Sequence, residues 1–113
     1  MAVVNISCQN DADLIRGFSY VHQTSGLPVD LTGNTLRMGV RRHAEDIEED
    51  LLLTTENGGF VIDGVGHFTM TIQKEDLQKM VTGDYDQSLV RMFGGTTLRI
   101  WSGVLTVNAG PSR

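Results

Sequence analysis

The sequence has 113 residues, is 40% hydrophobic and 20% charged, and carries a formal net charge of −5. That is the length of one domain with one core, and no apolar run approaches the length of a spanning helix. Nine Lys and Arg, scattered among fourteen acids, make a phosphate-binding surface a poor expectation, so neither nucleic acid nor membrane is expected as a partner.

The first residues, Met1-Ala2-Val3-Val4-Asn5-Ile6-Ser7, lack the basic start and long apolar stretch of a secretory signal, and the chain is expected to be made in the cytoplasm. Cys8 is the one cysteine. It excludes an internal disulfide and a thiolate zinc cluster, and reads as a half-buried strand residue. A strand is expected around Phe18-Ser19-Tyr20-Val21, followed by a turn at Gln23-Thr24-Ser25-Gly26 and by Leu27-Pro28-Val29-Asp30-Leu31. Leu36, Met38 and Val40 then alternate with Arg37, Gly39 and Arg41. Successive strand side chains point to opposite faces, so this segment has one apolar and one polar face.

Residues 44–50 form an acidic run that suits a short helix or a loop equally. Leu51-Leu52-Leu53 and Phe60-Val61-Ile62 flank the turn Glu56-Asn57-Gly58-Gly59, and Asp63-Gly64-Val65-Gly66 turns into the next strand. There Phe68, Met70 and Ile72 alternate with His67, Thr69 and Thr71. Asn-Gly, Asp-Gly and Gly-Gly pairs supply the positive φ angles of tight turns. Over residues 74–81, Leu77, Met80 and Val81 take helical spacing behind Glu75 and Asp76, acids that suit a helix N-terminus. A strand around Tyr85 follows, then a turn at Gly94-Gly95.

The last strand changes phase. Leu98 and Ile100 share one parity, while Leu105 and Val107 share the other. A β-bulge within Trp101-Ser102-Gly103 is expected to absorb the extra residue. The tail from Asn108 reads as unpaired. Seven or eight short strands with turns at this spacing predict a mainly β, antiparallel sandwich or barrel with one short helix near 74–81. The whole of 1–113 reads as one domain, with a core over about 12–107 and short tails.

No chemistry-bearing motif stands out. Glu45, Asp46, Glu48, Glu49 and Asp50 offer the clustered oxygens calcium prefers, without the alternating ligands and central glycine of a calcium loop, and read as a solvated loop. His22, His43 and His67 lack metal-ligand spacing and read as exposed polar residues. There is no G-x-S-x-G turn and no phosphate-binding glycine loop. Trp101 suits either a core or an interface. No catalytic residue, metal or cofactor is expected.

One pattern resembles a known family. Leu27-Pro28-Val29-Asp30-Leu31-Thr32-Gly33, followed by Leu36-Arg37-Met38-Gly39-Val40-Arg41, is similar to a turn and strand common in tailed-phage structural proteins. Leu51-Leu52-Leu53-Thr54-Thr55-Glu56-Asn57-Gly58-Gly59, Gly66-His67-Phe68-Thr69-Met70-Thr71-Ile72, Gly83-Asp84-Tyr85 and Gly103-Val104-Leu105-Thr106-Val107 continue the likeness in order. It departs at Gln87-Ser88, where relatives often carry Tyr-Asp. The resemblance is to the immunoglobulin-like N-terminal domain of baseplate upper proteins and related tail components. It implies an immunoglobulin-like β-sandwich, no enzymatic activity and a place in the virion after assembly in the host cytoplasm. Other virion proteins and further copies of the chain, as a homo-oligomer or ring, are the implied partners. Because no fibre or receptor-binding region follows here, it implies an adaptor of tail, baseplate or neck. A capsid decoration protein and a carbohydrate-binding module are the alternatives. Pro28, Asp30, Leu31, Gly33, Gly58, Gly66, Tyr85, Trp101 and Gly103 are expected to serve as structural turn and core positions.

Overall fold

The computed structural model describes residues 2–21 and 24–112. His22 and Gln23 lie outside the described residues. The elements in chain order are β1 (Ala2–Val3), β2 (Ile6–Gln9), β3 (Leu14–Ser19), β4 (Thr35–Arg41), β5 (Leu51–Thr54), β6 (Phe60–Gly64), β7 (His67–Ile72), α1 (Lys74–Gln78), β8 (Gly83–Phe93) and β9 (Thr96–Asn108). The larger sheet runs β1-β9-β8-β4-β5, with β2 also on β9, and the smaller runs β3-β7-β6.

Alternation explains the layers. Leu36, Met38 and Val40 on β4 are each 0% exposed, and Phe68, Met70 and Ile72 on β7 at most 1%. They face one another across the gap between the sheets, joined by Leu89, Trp101 and Leu105 from β8 and β9. Burying each such side chain contributes roughly 1.5–3 kcal/mol. Trp101 bridges the layers, its ring 4.6 Å from that of Phe18 and 6.0 Å from that of Phe68. The two sheets pack face to face as a β-sandwich.

The glycine turns form as expected. Gly94 and Gly95 both have positive φ, 54° and 80°, and link the two longest strands. The helix keeps Leu77 at 0% exposure but ends at Gln78, so Val81 stays in solvent. Residues 44–50 form turns and bends without a helix, because Arg41 takes the carbonyls of Asp46 and Ile47.

Four expectations about strands and tails need correction. The N-terminal residues are not a tail: β1 and β2 pair in parallel with β9, Ile6 opposite Leu105 and Cys8 opposite Val107. The sandwich therefore has nine strands among the described residues and is not wholly antiparallel. A four-residue run such as Ile6–Gln9 gives little local signal, and its partner lies at the far end of the chain. Cys8 is also more deeply buried than expected, at 3% exposure, and that burial pushes its thiol pKa up.

The C-terminal tail is tied down as well. Asn108 pairs with Gln9, and the Gly110 N–H donates to Asn10 Oδ1 at 2.9 Å. Third, the bulge falls at Ile100: Leu89 opposes Trp101 while Val90 opposes Arg99. Ile100 and Trp101 are consequently both buried. Fourth, β3 ends at Ser19, and Val21 makes only an isolated bridge to Pro28.

Candidate binding surface

The outer face of the larger sheet is built by register. Arg37, Gly39 and Arg41 on β4 lie opposite Val90, Ser88 and Asp86 on β8. Those in turn lie opposite Arg99, Ser102 and Val104 on β9. Gly39 leaves a hollow in the middle, where a Cβ would meet the Glu49 carboxyl group at 3.8 Å. The result is an open groove of about 620 Å³ with valines along its floor, walled by loop residues 44 and 49 on one side and by residues 3 and 5 on the other.

The wall on the acidic side is rigidly held. Arg41 donates through Nη1 to the carbonyls of Asp46 (2.9 Å) and Ile47 (2.6 Å), and through Nη2 to Glu49 Oε1 (3.0 Å). Arg37 pairs with the same Glu49 oxygen. The backbone N–H groups of Arg42, His43 and Ala44 donate to the carboxylates of Asp50, Asp46 and Asp86. Three carboxylates of the acidic run are thus committed to arginine and backbone. Among the described residues no group of three His, Cys, Asp or Glu side chains is placed to hold a metal.

On the opposite sheet His67 Nδ1 pairs with Asp63 Oδ1, and Thr69 Oγ1 donates to Asp63 Oδ2 at 2.6 Å. The Thr69 hydroxyl and the His67 ring hold the Asp63 carboxyl below the usual carboxylate range. That hydroxyl donates its hydrogen bond to Asp63 and not to the imidazole. A depressed carboxylate stabilises the fold above its unfolded pKa, and the contribution is lost as pH falls through the folded pKa. Replacing Thr69 with valine is expected to move the Asp63 midpoint back up. A carboxyl-carbon NMR titration from neutral to acid pH reads this directly.

The expected turn and core residues occupy supporting places. Asp30 Oδ1 accepts from the Thr32 N–H at 3.0 Å, Leu31 is 0% exposed, and Gly33 closes the turn with φ 79°. The Thr32 hydroxyl and N–H hold the Asp30 carboxyl below its ordinary value. Gly58 takes φ 82° in the turn that Asn57 caps through Thr54 and Gly59. Gly66 packs where a Cβ would come within 2.7 Å of Pro28 Cβ.

Tyr85 donates its hydroxyl to the Val81 carbonyl at 2.5 Å, near the start of β8. This is the tyrosine corner of immunoglobulin-like sandwiches. Tyr85→Phe is expected to cost about 1 kcal/mol and to lower the thermal midpoint by a few degrees, seen by circular dichroism.

Gln87, two residues further, stands in the sequence only as a departure from the family pattern. It is 4% exposed. Its Nε2 donates to the Val4 carbonyl at 2.7 Å, and its Oε1 accepts from Trp101 Nε1 at 2.8 Å. Gly103 lies opposite it, and makes room for the Val4 carbonyl, which turns inward between β1 and β2. Parity with Tyr85 and Leu89 turns residue 87 inward, but nothing local supplies the partners a buried glutamine needs.

The tyrosine corner and the sheet order β9-β8-β4-β5 against β3-β7-β6 fit an immunoglobulin-like sandwich. No protein-family model matches the sequence, and no curated protein does. Among solved structures it is similar to the endo-β-1,4-mannanase from Thermotoga petrophila, with TM-score 0.57 and 13% identity over 94% of this chain. It spans 18% of that enzyme's length, so the likeness is one of fold alone. The NK cell receptor NKp44 aligns with TM-score 0.48 and 16% identity, over 96% of this chain and 100% of that one.

Proposed function

We propose that the protein is a non-enzymatic structural module of a tailed-phage particle, an adaptor of the tail, baseplate or neck. It acts by binding other virion proteins and further copies of itself. The observation that carries this reading is the ordered residue pattern beginning at residues 27–33. Each later piece of that pattern falls on its own element: residues 36–41 on β4, 51–59 on β5 and its turn, 66–72 on β7, 83–85 on β8 and 103–107 on β9. A likeness kept in order over five strands supports a whole module rather than one turn.

The outer face supports a binding role without adding chemistry. Arg37 and Arg41 are tied to Glu49, and Asp86 accepts from the Ala44 N–H, which stiffens the surface. A glycan-binding module would draw on aromatic platforms, whereas Trp101 and Tyr85 are each 3% exposed, Tyr20 is half-buried and no ring lines the groove. Capsid decoration is the same kind of role at another place on the particle. Mass spectrometry of purified particles is expected to find the chain, and its absence there would sink the proposal. Electron microscopy of labelled particles then separates tail from head.

A further inference from the structure

Three connections meet at one end of the sandwich. One leads from β3 to β4, the turn at Val65 and Gly66 joins β6 to β7, and Gly94-Gly95 joins β8 to β9. The first two are tied by backbone: the Tyr20 N–H donates to the Gly66 carbonyl at 2.6 Å, and the Val29 N–H to the Tyr20 carbonyl at 3.0 Å. The third is reached through Arg91, whose guanidinium carbon stands 5.3 Å from the Tyr20 ring centre and 4.6 Å from that of Phe93. Val21, Leu27, Val65, Phe93 and Leu98 are all exposed around this end.

Arg91 is half-buried on the inward parity of β8, opposite Leu36 on β4 and Leu98 on β9. Unlike Arg37 and Arg41, which share Glu49, it makes no ion pair with a carboxylate of the described residues. Its Nε is covered and has no hydrogen-bond partner, and neither has the covered Oδ1 of Asn34 just before β4. The two rings attract the cation but give its N–H groups no acceptor. A cation drawn out of water and left unpaired is costly, and a carboxylate meets a guanidinium fork with two parallel hydrogen bonds. We infer that this end docks an acidic, apolar segment of a partner polypeptide, with an Asp or Glu carboxylate on Arg91 and a neighbouring apolar side chain over Phe93 and Leu98. An inorganic anion would pair the charge and leave the apolar rim in water, whereas a peptide segment covers both. Arginine beside aromatic rings is also the composition in which interface energy concentrates. The inference rests on the reading that the chain binds other proteins, and it names the place and the chemistry.

Titration of the full chain with the peptide acetyl-Leu-Asp-Leu-amide tests this, followed by NMR at the Arg91 Nε–H and at the Phe93 and Leu98 amides. Binding in about the millimolar range is expected, at least about tenfold weaker for acetyl-Leu-Asn-Leu-amide. Arg91→Gln is expected to weaken the Asp peptide by a similar factor, and Arg91→Lys, which keeps the charge and loses the fork, by less. Ile47→Ser leaves binding unchanged, because Ile47 is 94% exposed in the loop beyond the other end of β4. Circular dichroism establishes that each variant is folded, and the comparison of the two peptides needs no variant. No shift at Arg91 up to about 10 mM peptide, or equal affinity for the Asp and Asn peptides, overturns the inference. Self-association of the chain alone, abolished by Arg91→Gln in sedimentation, would make a second copy the occupant and overturn the choice of partner. None of these outcomes touches the particle proposal, which the mass spectrometry decides.

Discussion

Trp101→Ala is expected to cost about 3–5 kcal/mol of folding stability. Trp101 is 3% exposed and is packed against Phe18 and Phe68, so it joins β9 to the opposite sheet. Truncation opens a cavity between the sheets that two strands pinned in long ladders cannot close. It also strips Gln87 Oε1 of its donor inside the core. A domain of this size has about 5–15 kcal/mol in total, so the variant sits near the limit of folding. Trp101→Phe separates the two causes: it keeps most of the ring contact and loses only the hydrogen bond, for about 1–3 kcal/mol. Urea unfolding followed by far-ultraviolet circular dichroism measures both, since fluorescence is lost with the one tryptophan. A loss under about 1 kcal/mol for the alanine variant would show that the layers do not depend on this side chain.

Gly103→Val is expected to destabilise on the order of 3 kcal/mol, against what strand preference alone would forecast. Valine favours strands, and residue 103 lies inside the longest one. But a Cβ at Gly103 would overlap the Val4 carbonyl oxygen, with the carbonyl carbon at 2.8 Å. Backbone held by the Val4 N–H donating to the Ser102 carbonyl and by the Val104 N–H donating to Asn5 Oδ1 has nowhere to go. The first strands must therefore move off β9, and Gln87 Nε2 loses its buried acceptor. Local detachment is read at Cys8, which lies on the detached segment. In the parent its burial keeps the thiol protonated and covered. In the variant it is expected to react with a thiol reagent far faster at mildly alkaline pH. Unchanged reactivity and unchanged stability would mean that the first strands are not held through Gly103.

Part of this molecule is visible residue by residue. The inner and outer faces of β4 and β7 follow from alternation alone, because a strand buried on one side must repeat with period two. The glycine turns at residues 58, 66 and 94–95 are legible for a similar reason: their backbone needs a φ that other residues resist. The phase change in β9 also showed that a bulge exists. Its position did not, because two adjacent apolar residues, Ile100 and Trp101, are both acceptable inside until the partner register on β8 chooses between them.

The binding surface was much less legible. Arg37, Gly39 and Arg41 were readable as the polar side of a strand, but not as one bank of a groove, since Asp86, Ser88, Arg99 and Val104 arrive from strands far along the chain. The acidic run gave no hint that Arg41 would clamp it and leave Ile47 outward. Short-range periodicity carries strand faces and turns because those depend on neighbours in the chain. The parallel seating of β1 and β2, the buried Gln87 between Trp101 and Val4, and the true reason for Gly103 depend on which distant backbone passes within hydrogen-bonding distance. Only the packed sandwich decides that, because the partner of each buried polar group is chosen by the register of strands nearly a hundred residues apart.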